Sequence, residues 1–193
     1  MRTAALSSML VLSLMLAGAA TGFAQQASPT HPDRTITGHP NADNPVIGVD
    51  ETDKGFMQHA AVGDLAEIQL GQLAQQKASS PAVKSFAARM VKDHSSADDK
   101  LKDIAESQHI SLPNQLDPKH ENAQKSLSQL SGTSFDKEYM LLMVQEHKQD
   151  VSKFQQEAAN AHDPTVKQFA AQTLPILQSH LNEAQQVQSQ VNK

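Results

Sequence analysis

From about residue 53 to residue 190, apolar side chains recur every three or four positions in four long blocks. That is the period of amphipathic helices, so each block predicts a helix with one face on a core. The first runs from about Asp53 to Ala78. The second opens sharply, with Ser80 as N-cap and Pro81 at the first helical position, and runs to about Ser107. The third is predicted to start with Ser134 as its N-cap and to end near Ala161. The fourth starts with Asp163 as cap, Pro164 following, and ends near Gln190. Between the second and third lies SQHISLPNQLDPKHENAQKSLSQLSGT, where a short helix is expected after Asp117.

The sequence also echoes itself. PAVKSFAA at 81–88 matches PTVKQFAA at 164–171, with Pro, Val, Lys, Phe, Ala and Ala in register. Each copy follows a long helix and a tight turn. Two helical hairpins joined by a long connection predict an all-α fold, a ferritin-like four-helix bundle with one crossover. An up-down-up-down bundle is the alternative topology. A 27-residue helix is about 40 Å long at 1.5 Å per residue, a span the connection can cover.

Projection of each helix at 100° per residue places one ionisable residue in the middle of each apolar face. On the first helix Glu67 stands among Phe56, Ala60, Gly63, Leu70, Ala74 and Ala78. On the second His94 stands among Val83, Phe86, Met90, Ala97 and Leu101. On the third His147 follows Met140, Met143 and Val144 and precedes Val151 and Phe154. On the fourth His180 lies between Leu177 and Ala184, and Thr173 shares its face. Counted from the two tight turns, all four lie near mid-helix, so they converge at one height in either topology.

A buried hydrogen-bonding group left unpaired costs about 1–3 kcal/mol. Three imidazoles and a carboxylate in one layer therefore need one another or an ion. A single transition metal bound by Glu67, His94, His147 and His180 satisfies them, with zinc or iron the fitting ions. Asp93, Glu146 and Asp150, with Asp64, lie beside the cluster as outer partners. The alternative is a metal-free hydrogen-bond network that only fixes the packing. Gly63 and Gly71, one turn either side of Glu67, make room for a site or for a close helix. Pro175 removes a helical hydrogen bond and predicts a bend in the fourth helix. Met90, Met140 and Met143 are read as core, and His31, His39, His59, His109, His120 and His162 are assigned no role. No H-E-x-x-H, glycine-rich phosphate loop or Gly-x-Ser-x-Gly elbow is present, so no enzymatic reaction is assigned.

Composition adds location. Residues 1–24 have a basic start at Arg2, an apolar run from about Ala4 to Ala20 and small residues before Gln25. This predicts a secretory signal peptide, an exported and periplasmic mature protein, and no membrane span once the signal is removed. Residues 25–50 are polar and rich in Pro, Gly and Asn, a predicted disordered linker, and 51–193 form the bundle domain. There is no cysteine, which excludes disulfides, thiolate ligands and a lipid anchor on cysteine. The chain carries a formal charge of −5, and removal of residues 1–24 takes away one base and no acid. That balance argues against nucleic-acid binding. Nothing in the sequence fixes a protein partner or an oligomeric state.

Several motifs together are specific. They are F-x-x-x-A-x-x-G-x-L-A-E-I-x-L-G-x-L-A, V-K-x-F-A-x-x-M-V-x-D-H, I-x-L-P, L-S-G-x-x-F-D-x-x-Y-M-x-x-M-V-x-x-H and L-P-x-L-x-x-H-L, spread over about residues 52–185. In these the chain resembles the bacterial family called domain of unknown function 4142. The resemblance implies an exported, ferritin-like four-helix protein and brings no activity. Its motif positions include Glu67, Asp93, His94, His147 and His180. Di-iron ferritin-like proteins carry Glu-x-x-His on two helices; here the equivalent segments read Val91-x-x-His94 and Leu177-x-x-His180. One metal or none is expected, not a carboxylate-bridged pair.

Overall fold

The computed structural model describes residues 51–193; the predicted signal peptide and linker lie outside the described residues. Five helices follow in order: α1 (Glu51–Lys77), α2 (Pro81–Ser107), α3 (Pro118–Ser128), α4 (Gly132–Asn160) and α5 (Pro164–Val191). The long four match the predicted blocks, and α3 is the short helix expected after Asp117, whose side chain accepts from the His120 amide. Among the described residues no helix is long and apolar enough to cross a membrane.

α1 packs on α2 and α4 on α5, and the two hairpins meet along α1–α4 and α2–α5. Two apolar clusters define the ends. One gathers Ala74 and Ala78 of α1, Val83 and Phe86 of α2, Phe135 and Tyr139 of α4 and Val187 of α5. The other gathers Phe56 of α1, Ala105 of α2, Phe154 and Ala161 of α4 and Val166 of α5. The start of α4 therefore lies at the same end as the start of α2. The connection through α3 must travel the length of the bundle, which is the crossover topology. Leu127 of α3 is buried in the first cluster and anchors that crossing. Phe56, Phe154 and Phe169 pack edge-on or tilted in the second, with centroids 4.9–6.5 Å apart.

One expected boundary moves. The N-cap of α4 is Ser131, not Ser134, because Gly132 takes φ +62° and the Phe135 amide bonds the Ser131 carbonyl. A serine three residues further on satisfies the same composition rule but already lies inside the helix. Pro175 does not end the helix: α5 runs through it. It lies on the exposed face with Ala171, so the carbonyl that loses its donor is near water.

Both tight turns are held from the opposite hairpin. The buried Asp136 of α4 accepts from the Ser79 amide (3.0 Å), the Ser80 amide (2.9 Å) and the Ser79 hydroxyl. The buried Asp53 of α1 accepts from the His162 amide (3.1 Å) and the Asp163 amide (2.7 Å). Each acid satisfies amide groups at the start of a helix that its own side chains do not fully cap.

Candidate metal centre

The two apolar clusters are separated by a polar layer at mid-height. His94 of α2, His147 of α4 and His180 of α5 are all buried there, each three or four residues from a buried apolar position of its helix (Met90, Val144 and Leu177). Their ring centroids lie 5.3–5.7 Å apart. One ligand atom from each ring falls within 4.8 Å of those of the other two. Two nitrogens on a tetrahedral ion, each about 2.05 Å from it, are about 3.3 Å apart. The trio thus needs a contraction of up to about 1.5 Å to close on an ion.

Each ring is oriented from behind. His94 Nδ1 lies 2.8 Å from Asp64 Oδ1. His147 Nδ1 donates to the Met143 carbonyl at 2.9 Å, one turn back on α4. A carbonyl only accepts, so this ring carries its proton on Nδ1 and has a bare Nε2. His180 Nε2 lies 2.9 Å from Asp93 Oδ2, and Arg89 Nε holds that same oxygen at 3.2 Å. The second nitrogen of every ring, His94 Nε2, His147 Nε2 and His180 Nδ1, is buried with no hydrogen-bond partner. A ring pinned at one nitrogen by a carboxylate or carbonyl, with the other nitrogen free, is the usual state of a metal-ligating histidine.

Electrostatics separate the three. Burial, with the neighbouring His94 and His180, pushes His147 down to about 3. Burial pushes His180 down to about 4 against the pull of Asp93. Burial also works against charge on His94, but the Asp64 bond and charge, together with Glu67, outweigh it and hold this ring up at about 9. Two rings are therefore neutral and ready as ligands at pH 7, and one keeps a proton until something displaces it.

The predicted acids divide. Glu67 lies in the layer, but its Oε1 is 3.7 Å from His147 Nδ1, the nitrogen that faces Met143. It does not join the group of mutually close ligand atoms. Burial pushes its carboxyl up to about 8. Asp93 supports His180. Glu146 turns away from the trio to Lys119 (2.8 Å) of α3 and to His120 (3.7 Å). Asp150 lines small cavities beside Glu67 and His94, where burial raises it to about 6. Asp64 is the direct partner of His94. His120, given no role in the sequence, is buried against Asp117 (2.7 Å) and Glu146; it lies in the first turn of α3, a helix too short for its periodicity to reveal which face is buried.

A family model described as a domain of unknown function (DUF4142) matches residues 39–187. The chain belongs to this family. The match confirms the motif resemblance and covers every residue of the polar layer. No curated protein matches the chain. Among solved structures, the DUF4142 chain is similar to one described as the crystal structure of a DUF305 fragment from Deinococcus radiodurans. The TM-score is 0.66 at 15% identity, covering 74% of this chain and 98% of that one. At that identity the likeness supports the helical fold and nothing about the site.

Proposed function

We propose that this DUF4142 protein is an exported cell-envelope protein that binds one transition metal ion through His94, His147 and His180, in metal handling or stress protection. The observation that carries this reading is three buried rings with a nitrogen of each within 4.8 Å of the others, each ring pinned at one nitrogen and left with its other nitrogen buried and unpartnered. Three imidazole ligands suit zinc, which would displace the proton His94 keeps. Iron(II) sites of the two-histidine type need a carboxylate in the ligand set, and Glu67 stands to one side of it. Asp64, Asp93 and the Met143 carbonyl would orient the ligands, and no reaction is assigned.

The second reading is a metal-free network that fixes the packing of a structural or interaction protein. It draws on the bonds of His94 to Asp64 and His180 to Asp93, which exist without any ion. Metal analysis of protein purified without tag or chelator separates the two. One equivalent of zinc, lost in His94→Ala and His147→Ala and released on acidification towards pH 5, supports the metal centre. Full metal content in those variants, or no zinc uptake at micromolar concentration, refutes it.

A further inference from the structure

Two cavities of about 10 Å³ each lie beside the polar layer, both lined from α1 and α4, the first also from α3 and the second also from α2 and α5. Each has room for about one water-sized sphere. The outer one is bounded by His59, His120 and Glu146, the inner one by Asp64 and His94; Gly63 and Asp150 line both. Glu67 completes the outer wall. The ionisable groups in the two walls are carboxylates and histidines, and two lysines sit against the outer wall, Lys119 at 2.8 Å from Glu146 and Lys153 at 2.6 Å from His59. Glu67 Oε2 and Asp64 Oδ2 are buried there with no hydrogen-bond partner, their residues only 3% and 6% exposed. A Cβ added at Gly63 would meet nothing within 4 Å. Buried carboxyl oxygens beside space the size of one ion suit a cation that has shed part of its water and that displaces the proton burial holds on Glu67.

The other opening towards the trio is different. A cavity of about 190 Å³ between α2 and α5 reaches His94 and His180, but Arg89 and Lys100 line it. Asp93 shares that wall and, with Glu183, pairs with Arg89, so Lys100 is its unbalanced charge; the smaller cavities are lined by four acids, which draw a dication in as it displaces their protons.

Resting on the metal-binding reading above, we propose that the paired α1–α4 cavities are a cation-binding path through which a divalent ion reaches the three histidines, with Glu67 and Asp150 as transient oxygen ligands. The path is narrow, so blocking it changes rates and not the final site.

The test is stopped-flow zinc uptake by the full mature chain, followed with a competing zinc-responsive dye, and zinc extraction by a chelator. Gly63→Leu fills the path; Gly63→Ala, whose Cβ meets nothing, controls for folding along with the circular dichroism of each variant. Gly63→Leu is expected to slow both uptake and extraction at least tenfold with stoichiometry and affinity unchanged. Asp150→Asn is expected to slow uptake several-fold and to flatten its dependence on salt. Ala97→Leu, which narrows the α2–α5 cavity, is expected to load at the wild-type rate. Wild-type uptake and extraction rates in Gly63→Leu, or slow uptake in Ala97→Leu alone, would overturn the path while leaving the metal centre standing. Absence of zinc binding in the wild-type chain would overturn both.

Discussion

Replacement of His147 by leucine is expected to change protein stability in opposite directions with and without zinc. The ring is fully buried, and its Nε2 has no partner. Removing that unpaired nitrogen recovers about 1–3 kcal/mol of desolvation cost. The lost bond from Nδ1 to Met143 returns about 0.5–1.5 kcal/mol of that. The Met143 carbonyl is not orphaned, because it still accepts from the helix backbone. Leucine and imidazole are similar in size, so overpacking adds little. In chelator the variant should therefore be more stable than wild type by about 1 kcal/mol, a rise in Tm of about 3 °C for a domain of this size. With free zinc at 100 times Kd the wild type gains about 2.7 kcal/mol, and a two-histidine remnant gains much less. The order of Tm should then invert, as thermal unfolding followed by circular dichroism with chelator or zinc would show. A His147→Leu variant less stable than wild type in chelator by 1 kcal/mol or more would mean that the ring already has its partners. Equal stabilisation of both proteins by zinc would mean that the ion sits elsewhere.

The two glycines of α1 should respond oppositely. Gly63→Ala gains helix propensity at no steric cost and should stabilise by about 0.5–1 kcal/mol, whereas Gly71→Ala sets a Cβ 2.8 Å from Val91 Cγ2 and 3.0 Å from the Ala87 carbonyl, and should destabilise by about 1–3 kcal/mol in urea titrations. Asp136→Ala and Asp53→Ala should each cost about 2–4 kcal/mol, since each strips acceptors from two amides at a helix start; a loss under 0.5 kcal/mol would show water doing the same work. Glu67 and His94 retain protons in the fold, up to about 8 and about 9, after the unfolded chain has released its own. Raised values contribute stability that is lost as pH rises towards them, so the chelated protein should lose stability between pH 6.5 and 8, less steeply in Glu67→Gln; a flat profile in denaturant melts would refute this.

The helices were legible because four long apolar periods have few competing readings, and Pro81 and Pro164 mark two starts outright. The convergence of His94, His147 and His180 followed from the same projection, since a helix face and a height are enough to place a Cα. What a projection does not contain is the direction of a side chain. Glu67 has the right face and height, yet its carboxylate lies behind the His147 ring. Asp64, three residues earlier, reaches His94 instead. Glu146 neighbours His147 in sequence but points to α3, a helix whose packing against α1 and α4 no periodicity foretells. The turn clamps were invisible for the same reason. Asp53 and Asp136 sit in first or second helical turns, where an acid is ordinary, and their partners are more than fifty residues away.

Those clamps bear on how site and scaffold divide. The shift that carries Pro81 onto Pro164 is 83 residues, and it carries Asp53 onto Asp136 and the Ser79 and Ser80 amides onto those of His162 and Asp163. Each half thus supplies the acid that closes the turn of the other, and the two contacts are equivalent under exchange of the halves. The polar layer does not obey that exchange. At the histidines Asp64 falls on His147, His94 on Leu177 and His180 on Ala97, whereas Glu67 and Asp150 exchange acid for acid. A layer needed only for packing in a two-fold scaffold could repeat the same residues in both halves, as the clamps do. Instead one half offers a histidine with the acid that holds it, and the other offers two histidines, while Asp93 crosses from the first half to steady His180. The asymmetry gathers three basic nitrogens where a symmetric pairing gives two or four. The packing of a bundle imposes no such number, and the proposed metal site supplies a reason for it.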